Sequence, residues 1–217
     1  MSSNKLKYTF NQHKIRFFKQ AAPQNICHFI YQYFLLRRST LKTMLDSKYI
    51  SPYNKDLGFF GDAQSKKETY CQYGDPAGDV LLKVMQPLIE KEVSHSLIPT
   101  YSYARVYEKG SVLKRHTDRS ACAISGTLFL GGEQWPIYID PTGKIKQKGV
   151  RVDMEPGDML IYSGGDLEHW RNEFKGEHCV QIFLHYNYTG YSQSELNKFD
   201  TRPTLGLPSY FKTSHHD

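Results

Sequence analysis

Residues 101–130 read YSYARVYEKGSVLKRHTDRSACAISGTLFL. The stretch holds three period-two runs: YSYARVY, VLKRHTD and CAISGTLFL. The turn-forming EKG parts the first two. Aromatic and β-branched residues dominate, and side chains two apart share a face of an extended chain. The reading is three strands, with Tyr101, Tyr103, Arg105 and Tyr107 on one face of the first.

The pattern continues downstream. WPIYID, KIKQKGVRVDM, MLIYSGG and HCVQIFLHYNY follow, divided by GGEQ, DPTG, MEPGD and FKGE. Seven or eight short strands with such turns predict an all-β sandwich or jelly roll. The core is read as residues 99–188, within a single domain of 217 residues. Lys144, Lys146 and Lys148 alternate and are expected on one solvated strand face.

Upstream, residues 1–98 read as helical support and a lid. A strand is expected at Ile15 to Phe18. A helix is expected from Pro23 to about Arg38, because Ile26, Phe29, Ile30, Tyr33 and Phe34 recur at helical spacing. Ser39 to Gly78 reads as irregular, and its Tyr49 to Tyr73 stretch as a lid or substrate wall. A second helix is predicted from about Asp79 to His95, kinked at Pro87. Val80, Leu81, Val84, Met85, Leu88 and Ile89 form its apolar face. Residues 189–217 are expected to form an irregular tail.

Composition narrows the class. Lys and Arg number 28 and Asp and Glu 22, a net charge of +6, but the basic residues are scattered. A nucleic-acid partner is therefore disfavoured without being excluded. Cys27, Cys71, Cys122 and Cys179 are too few and too far apart for a disulfide scaffold or a CxxC metal site. The chain shows no signal-like apolar core and no bilayer-length run, so a soluble cytoplasmic protein with no membrane partner is expected. The oligomeric state is left open.

The chemistry resides in LKRHTD. His116 and Asp118, at i and i+2 of a strand, point the same way and can bind one ion. His169 in GGDLEHWRN is the best third ligand, because several intervening strands can wrap round a barrel and return. Two imidazoles and a carboxylate on one face leave three octahedral positions open. That is the arrangement used by non-haem Fe(II) oxygenases.

Two segments carry a resemblance: YARVYEKGSVLKRHTDRSACAISGTLFLG and EPGDMLIYSGGDLEHWRNEFKGEHCVQIFLHYN. Over residues 99–188 the chain resembles the prolyl 4-hydroxylase-like branch of the Fe(II)- and 2-oxoglutarate-dependent oxygenases. The resemblance implies a distorted double-stranded β-helix, mainly β with supporting helices. It implies Fe(II) as cofactor and 2-oxoglutarate and O2 as co-substrates, with release of succinate and CO2. It implies hydroxylation of a peptidyl, even prolyl, or small-molecule substrate.

The resemblance also places a basic residue for the co-substrate's distal carboxylate two positions past the turn glycine. Here Gly176 puts His178 at that position, where Lys or Arg is usual. Arg171 is its equal as a candidate and Arg105 stands behind them, while Tyr107 matches a family tyrosine near the same carboxylate. A histidine anchor would make co-substrate affinity depend on pH near neutrality. Trp135 and Trp170 are candidate pocket walls. Two other classes fit the same residues: a cupin-like binding module without redox chemistry, and a zinc-dependent hydrolase.

Overall fold

Strands form where the sequence alternates. The computed structural model describes residues 8–144, 147–190 and 192–212. Lys146 and the terminal residues 213–217 lie outside them. Eleven strands form two antiparallel sheets among the described residues. They are β1 (Ile15–Phe18), β2 (Phe59–Phe60), β3 (Tyr70–Tyr73), β4 (Leu97–Glu108), β5 (Leu113–His116) and β6 (Ile124–Gly132). Then come β7 (Ile137–Ile139), β8 (Val150–Val152), β9 (Met159–Ser163), β10 (His169–Arg171) and β11 (His178–Tyr188). The larger sheet has the order β1-β9-β6-β11-β4-β3-β2 and the smaller β5-β10-β7-β8. This is the expected double-stranded β-helix.

The larger sheet is buried on both faces. One face carries Ala104, Val106, Val180, Ile182 and Leu184 and packs under the helices. The other carries Tyr107, Phe129, Leu160, Tyr162, Cys179 and Phe183 and forms the barrel interior. Alternation within β4 and β11 thus separates a helix-facing core from a barrel core. Polar residues at inward positions of such strands, among them Arg105, Ser125 and His185, are buried in the barrel.

Two helices cover the outer face. The short α1 (Phe10–His13) precedes α2 (Gln24–Asp46), which runs eight residues beyond the predicted end. Leu41 is buried in that added length, so tertiary packing extends a helix whose apolar spacing fades. Ile30 and Phe34 face inward as predicted, but Ile26 and Phe29 are exposed. The next helix, α3 (Pro76–Val93), starts three residues earlier than predicted. The Asp75 side chain caps it by accepting from the Ala77 amide, and Pro76 occupies the first turn. Its buried side is Leu81, Leu82, Met85, Ile89 and Val93, whereas Val80 and Val84 are exposed. The helix continues through Pro87. That residue is exposed, so the missing amide hydrogen bond falls on the solvent side.

Smaller departures follow from pairing. Among the described residues of KIKQKGVRVDM only Val150–Val152 finds a strand partner, in β7, and Lys144 and Lys148 lie outside any strand. The region expected to be irregular holds β2 and β3, which extend the larger sheet beyond β4. The tail adds α4 (Ser192–Leu196) and two short 3-10 turns. All four cysteines are buried and free. No helix among the described residues is long and apolar enough to cross a membrane.

Candidate metal centre

Antiparallel pairing of β5 with β10 sets His116 directly opposite His169. Their rings lie 4.3 Å apart between centroids. Asp118 lies just past the end of β5, where its amide donates to the Gly164 carbonyl at 2.8 Å. The ladder therefore ends before the second residue of His-x-Asp, and one backbone hydrogen bond to the β9–β10 turn holds it. Ligand atoms of His116, Asp118 and His169 lie within 4.8 Å of one another.

The protonation pattern suits a cation. His116 Nδ1 donates to the Lys114 carbonyl at 2.7 Å and His169 Nδ1 to the Leu167 carbonyl at 3.1 Å. A carbonyl only accepts, so each neutral ring carries its proton on Nδ1 and presents a lone pair at Nε2. Both Nε2 atoms lie 3.6 Å from Asp118 Oδ1. Burial pushes the His169 imidazolium down to about 4, with the His116 ring adding to the effect against the pull of Asp118. The neutral form that a metal ligand requires is therefore favoured.

The carboxylate has a partner on its other side. Ser125 Oγ donates to Asp118 Oδ2 at 2.6 Å. Gly164 makes room for this contact. A Cβ there would lie 2.6 Å from both Asp118 Oδ2 and Ser125 Oγ, and would collide with the Cys122 carbonyl.

A cavity of about 420 Å³ opens at the triad. Tyr101, Tyr103, Tyr162 and Phe183 supply aromatic walls, and Arg119 and His185 line it as well. Asp62, Ala63 and Gln64 reach it from the stretch read as a lid. Asp62 Oδ2 accepts from Tyr103 Oη at 2.8 Å and from Arg105 Nε and Nη2 at 2.9 and 2.6 Å. Burial would raise the Asp62 carboxyl, but Arg105, Tyr103 and the Gln64 amide together bring it down to about 2.

The basic candidates part company here. Arg105 lines the cavity with its charge already answered by Asp62. His178 does not reach the cavity. It lies at the first position of β11, and its Nε2 is 2.5 Å from Tyr31 Oη of α2. The inward position of that strand is Cys179, buried in the barrel core. The sequence alignment around Gly176 thus falls one residue out of phase with the pleat.

Arg171, on β10 with His169, is fully buried and does not line the cavity either. Its Nη1 donates to the Trp135 carbonyl and its guanidinium lies 5.2 Å from the Trp135 ring centre. Nε and Nη2 are buried with no hydrogen-bond partner, and Arg171 has no acidic partner among the described residues. Burial lowers its affinity for its proton, and the nearby Cys179, Tyr107 and Tyr162 oppose that only in part. Tyr107 Oη accepts from Arg105 Nη1 at 3.0 Å, which leaves its own proton to donate.

Neither tryptophan lines the cavity. Trp135 packs on Tyr107 and Phe174, and Trp170 stacks on Tyr138 beneath Arg115. Asp62, Arg119, Ser125 and Tyr162 were not singled out from sequence. Ser125 carried a signal: it is a polar residue inside the apolar run CAISGTLFL.

No family model matches the sequence, and no curated protein matches it. Solved structures do match in fold. A prolyl 4-hydroxylase from Pseudomonas putida superposes with a TM-score of 0.58 at 16% identity, over 83% of this chain and 96% of that one. A prolyl hydroxylase from Trichoplax adhaerens, bound to a hypoxia inducible factor peptide, gives 0.58 at 13% identity over 87% of each chain. HygX from Streptomyces hygroscopicus, with nickel and 2-oxoglutarate bound, gives 0.56 at 12% identity over 84% and 85%. The chain has the fold of the 2-oxoglutarate oxygenases, with prolyl hydroxylases among its structural neighbours.

Proposed function

We propose that the chain is an Fe(II)- and 2-oxoglutarate-dependent oxygenase that holds its metal with His116, Asp118 and His169. The observation that carries this reading is the pairing of two features in one barrel: a convergent His-Asp-His set and, on the strand of His169, a buried arginine lacking an anion. The donor set of two imidazoles and one carboxylate suits Fe(II) and leaves positions free for a chelating co-substrate. A buried unpaired cation is costly, so a ligand carboxylate there satisfies Arg171 Nε and Nη2. Tyr107 donates to the same carboxylate. His178 and Arg105 are not needed for it.

Bound Fe(II), with 2-oxoglutarate and O2, would supply oxidation of a substrate C–H bond, with succinate and CO2 as by-products. The chain's own residues do the rest. The Nδ1 tethers fix both imidazoles, Ser125 orients Asp118, and Leu113, Tyr162 and Phe183 wall the interior against water. The substrate is a peptidyl or small-molecule group that enters past Asp62 to Gln64. The peptide complex of the Trichoplax enzyme supports that class.

Anaerobic Fe(II) and 2-oxoglutarate are expected to give a weak visible absorption band that His169→Ala abolishes. Succinate release in a screen of peptides and metabolites then finds the substrate. Zinc restoring activity to a chelated sample would favour a hydrolase instead. A folded protein that binds neither Fe(II) nor 2-oxoglutarate would leave a bare binding module.

A further inference from the structure

A second polar chain begins at Asp118 and ends in the cavity. Ser125 Oγ has a single proton, and the carboxylate it faces at 2.6 Å is an acceptor only. The other acceptor in reach, the Cys122 carbonyl, is at 3.4 Å. The proton therefore goes to Asp118. His185 Nδ1 lies 3.0 Å from the same Oγ and must be the donor in that contact. Burial pushes the His185 imidazolium down to about 4, so the ring is neutral and has one proton to place. With that proton on Nδ1, Nε2 holds a lone pair.

Nε2 makes no hydrogen bond among the described residues. His185 lines the cavity and is 6% exposed, with its ring packed 4.6 Å from that of Tyr101. Nδ1 makes the only side-chain hydrogen bond of His185 among the described residues. Nearby donors are engaged elsewhere. Arg119 is held by Asp200 through two contacts of 2.8 Å, and Tyr101 Oη lies 3.1 Å from Cys122 Sγ. A buried acceptor at the wall of a cavity asks for a donor from whatever fills it.

We infer that His185 is a specificity-determining residue whose Nε2 accepts a hydrogen bond from an N–H or O–H group of the substrate. This rests on the oxygenase reading for the word substrate, while the tautomer itself does not. The candidate metal carboxylate dictates the polarity of the pocket wall two hydrogen bonds away. An amide, amine or hydroxyl hydrogen of the substrate is accepted there. A carbonyl or carboxylate oxygen in that place is repelled.

The test is NMR on the full chain with ¹⁵N-labelled histidine, with and without Zn(II), the signal being assigned by its loss in His185→Gln. The expected result is an Nδ1–H tautomer at His185 in both samples, with the preference lost in Ser125→Ala. N-methylacetamide, which has one N–H, is then compared with N,N-dimethylacetamide, which has none. Only the first is expected to move the Nε2 resonance. A proton on Nε2, an equal response to both amides, or no response to either overturns the inference. Failure of Zn(II) to bind sinks the oxygenase reading instead, and it is read in a separate metal titration before any amide is added.

Discussion

His116 and His169 are direct cross-strand partners, 53 residues apart in sequence, with Nε2 atoms each 3.6 Å from one Asp118 oxygen. A β-ladder sets their separation, so backbone hydrogen bonds preform the imidazole pair. A preformed set of this kind binds metal with little reorganisation.

Ser125→Ala should weaken metal binding without unfolding the chain. It removes the hydrogen bond that holds Asp118 Oδ2. Loss of such an outer contact costs about 10- to 100-fold in metal affinity. Co(II) or Zn(II) titration of the variant checks this, and an unchanged affinity would show that Asp118 is oriented by its backbone contact alone.

Gly164→Ala should do the same by collision, while Gly165→Ala should be neutral. The first Cβ meets Asp118 Oδ2 and Ser125 Oγ at 2.6 Å, and the second meets nothing within 4 Å. Metal affinity and thermal melts of the pair separate a local steric effect from general turn strain.

Arg171→Met should lower 2-oxoglutarate affinity about 10- to 100-fold, the scale of a lost charge-assisted hydrogen bond. The ligand-free variant should melt no lower than the parent, because it no longer buries a cation with two unpartnered nitrogens. His178→Ala should leave the affinity unchanged. Binding of 2-oxoglutarate should stay flat from about pH 6 to 8, since the anchoring guanidinium remains charged there. A steep fall over that range would return the assignment to His178.

Asp62 should make the lid acid-sensitive. Its carboxyl is depressed to about 2 in the folded chain, against 3.8 for the free group. A depressed carboxyl stabilises above the unfolded value and loses that contribution as pH falls through the folded one. The shift corresponds to about 2 kcal/mol, lost between roughly pH 4 and 2. Asp62→Asn should be less stable at neutral pH and should flatten this part of the curve. Urea melts across that window measure it.

The strands, their turns and the His116–Asp118 pair were legible because each depends on local spacing, whereas His169 was legible only as the best candidate on a strand that returns beside the first. Alternation in YSYARVY survives as the inward face of β4, and the i, i+2 relation of His116 and Asp118 survives although the ladder stops between them. The end of α2 was not legible, because Leu41 is buried by tertiary contacts that the local pattern does not encode. Val80 and Val84 were misassigned because an apolar face is wider than the stripe a neighbouring sheet can cover.

The sequence by itself determined a strand-rich core with His116 and Asp118 turned the same way, since both follow from period-two geometry and turn chemistry. Only the tertiary structure decided which basic residue is left without a counter-charge. Asp62, 43 positions away, neutralises Arg105, and Tyr31, 147 positions away, engages His178. Arg171 remains buried without a counter-charge. Charge pairing acts through space, and no spacing along the chain announces which partner arrives.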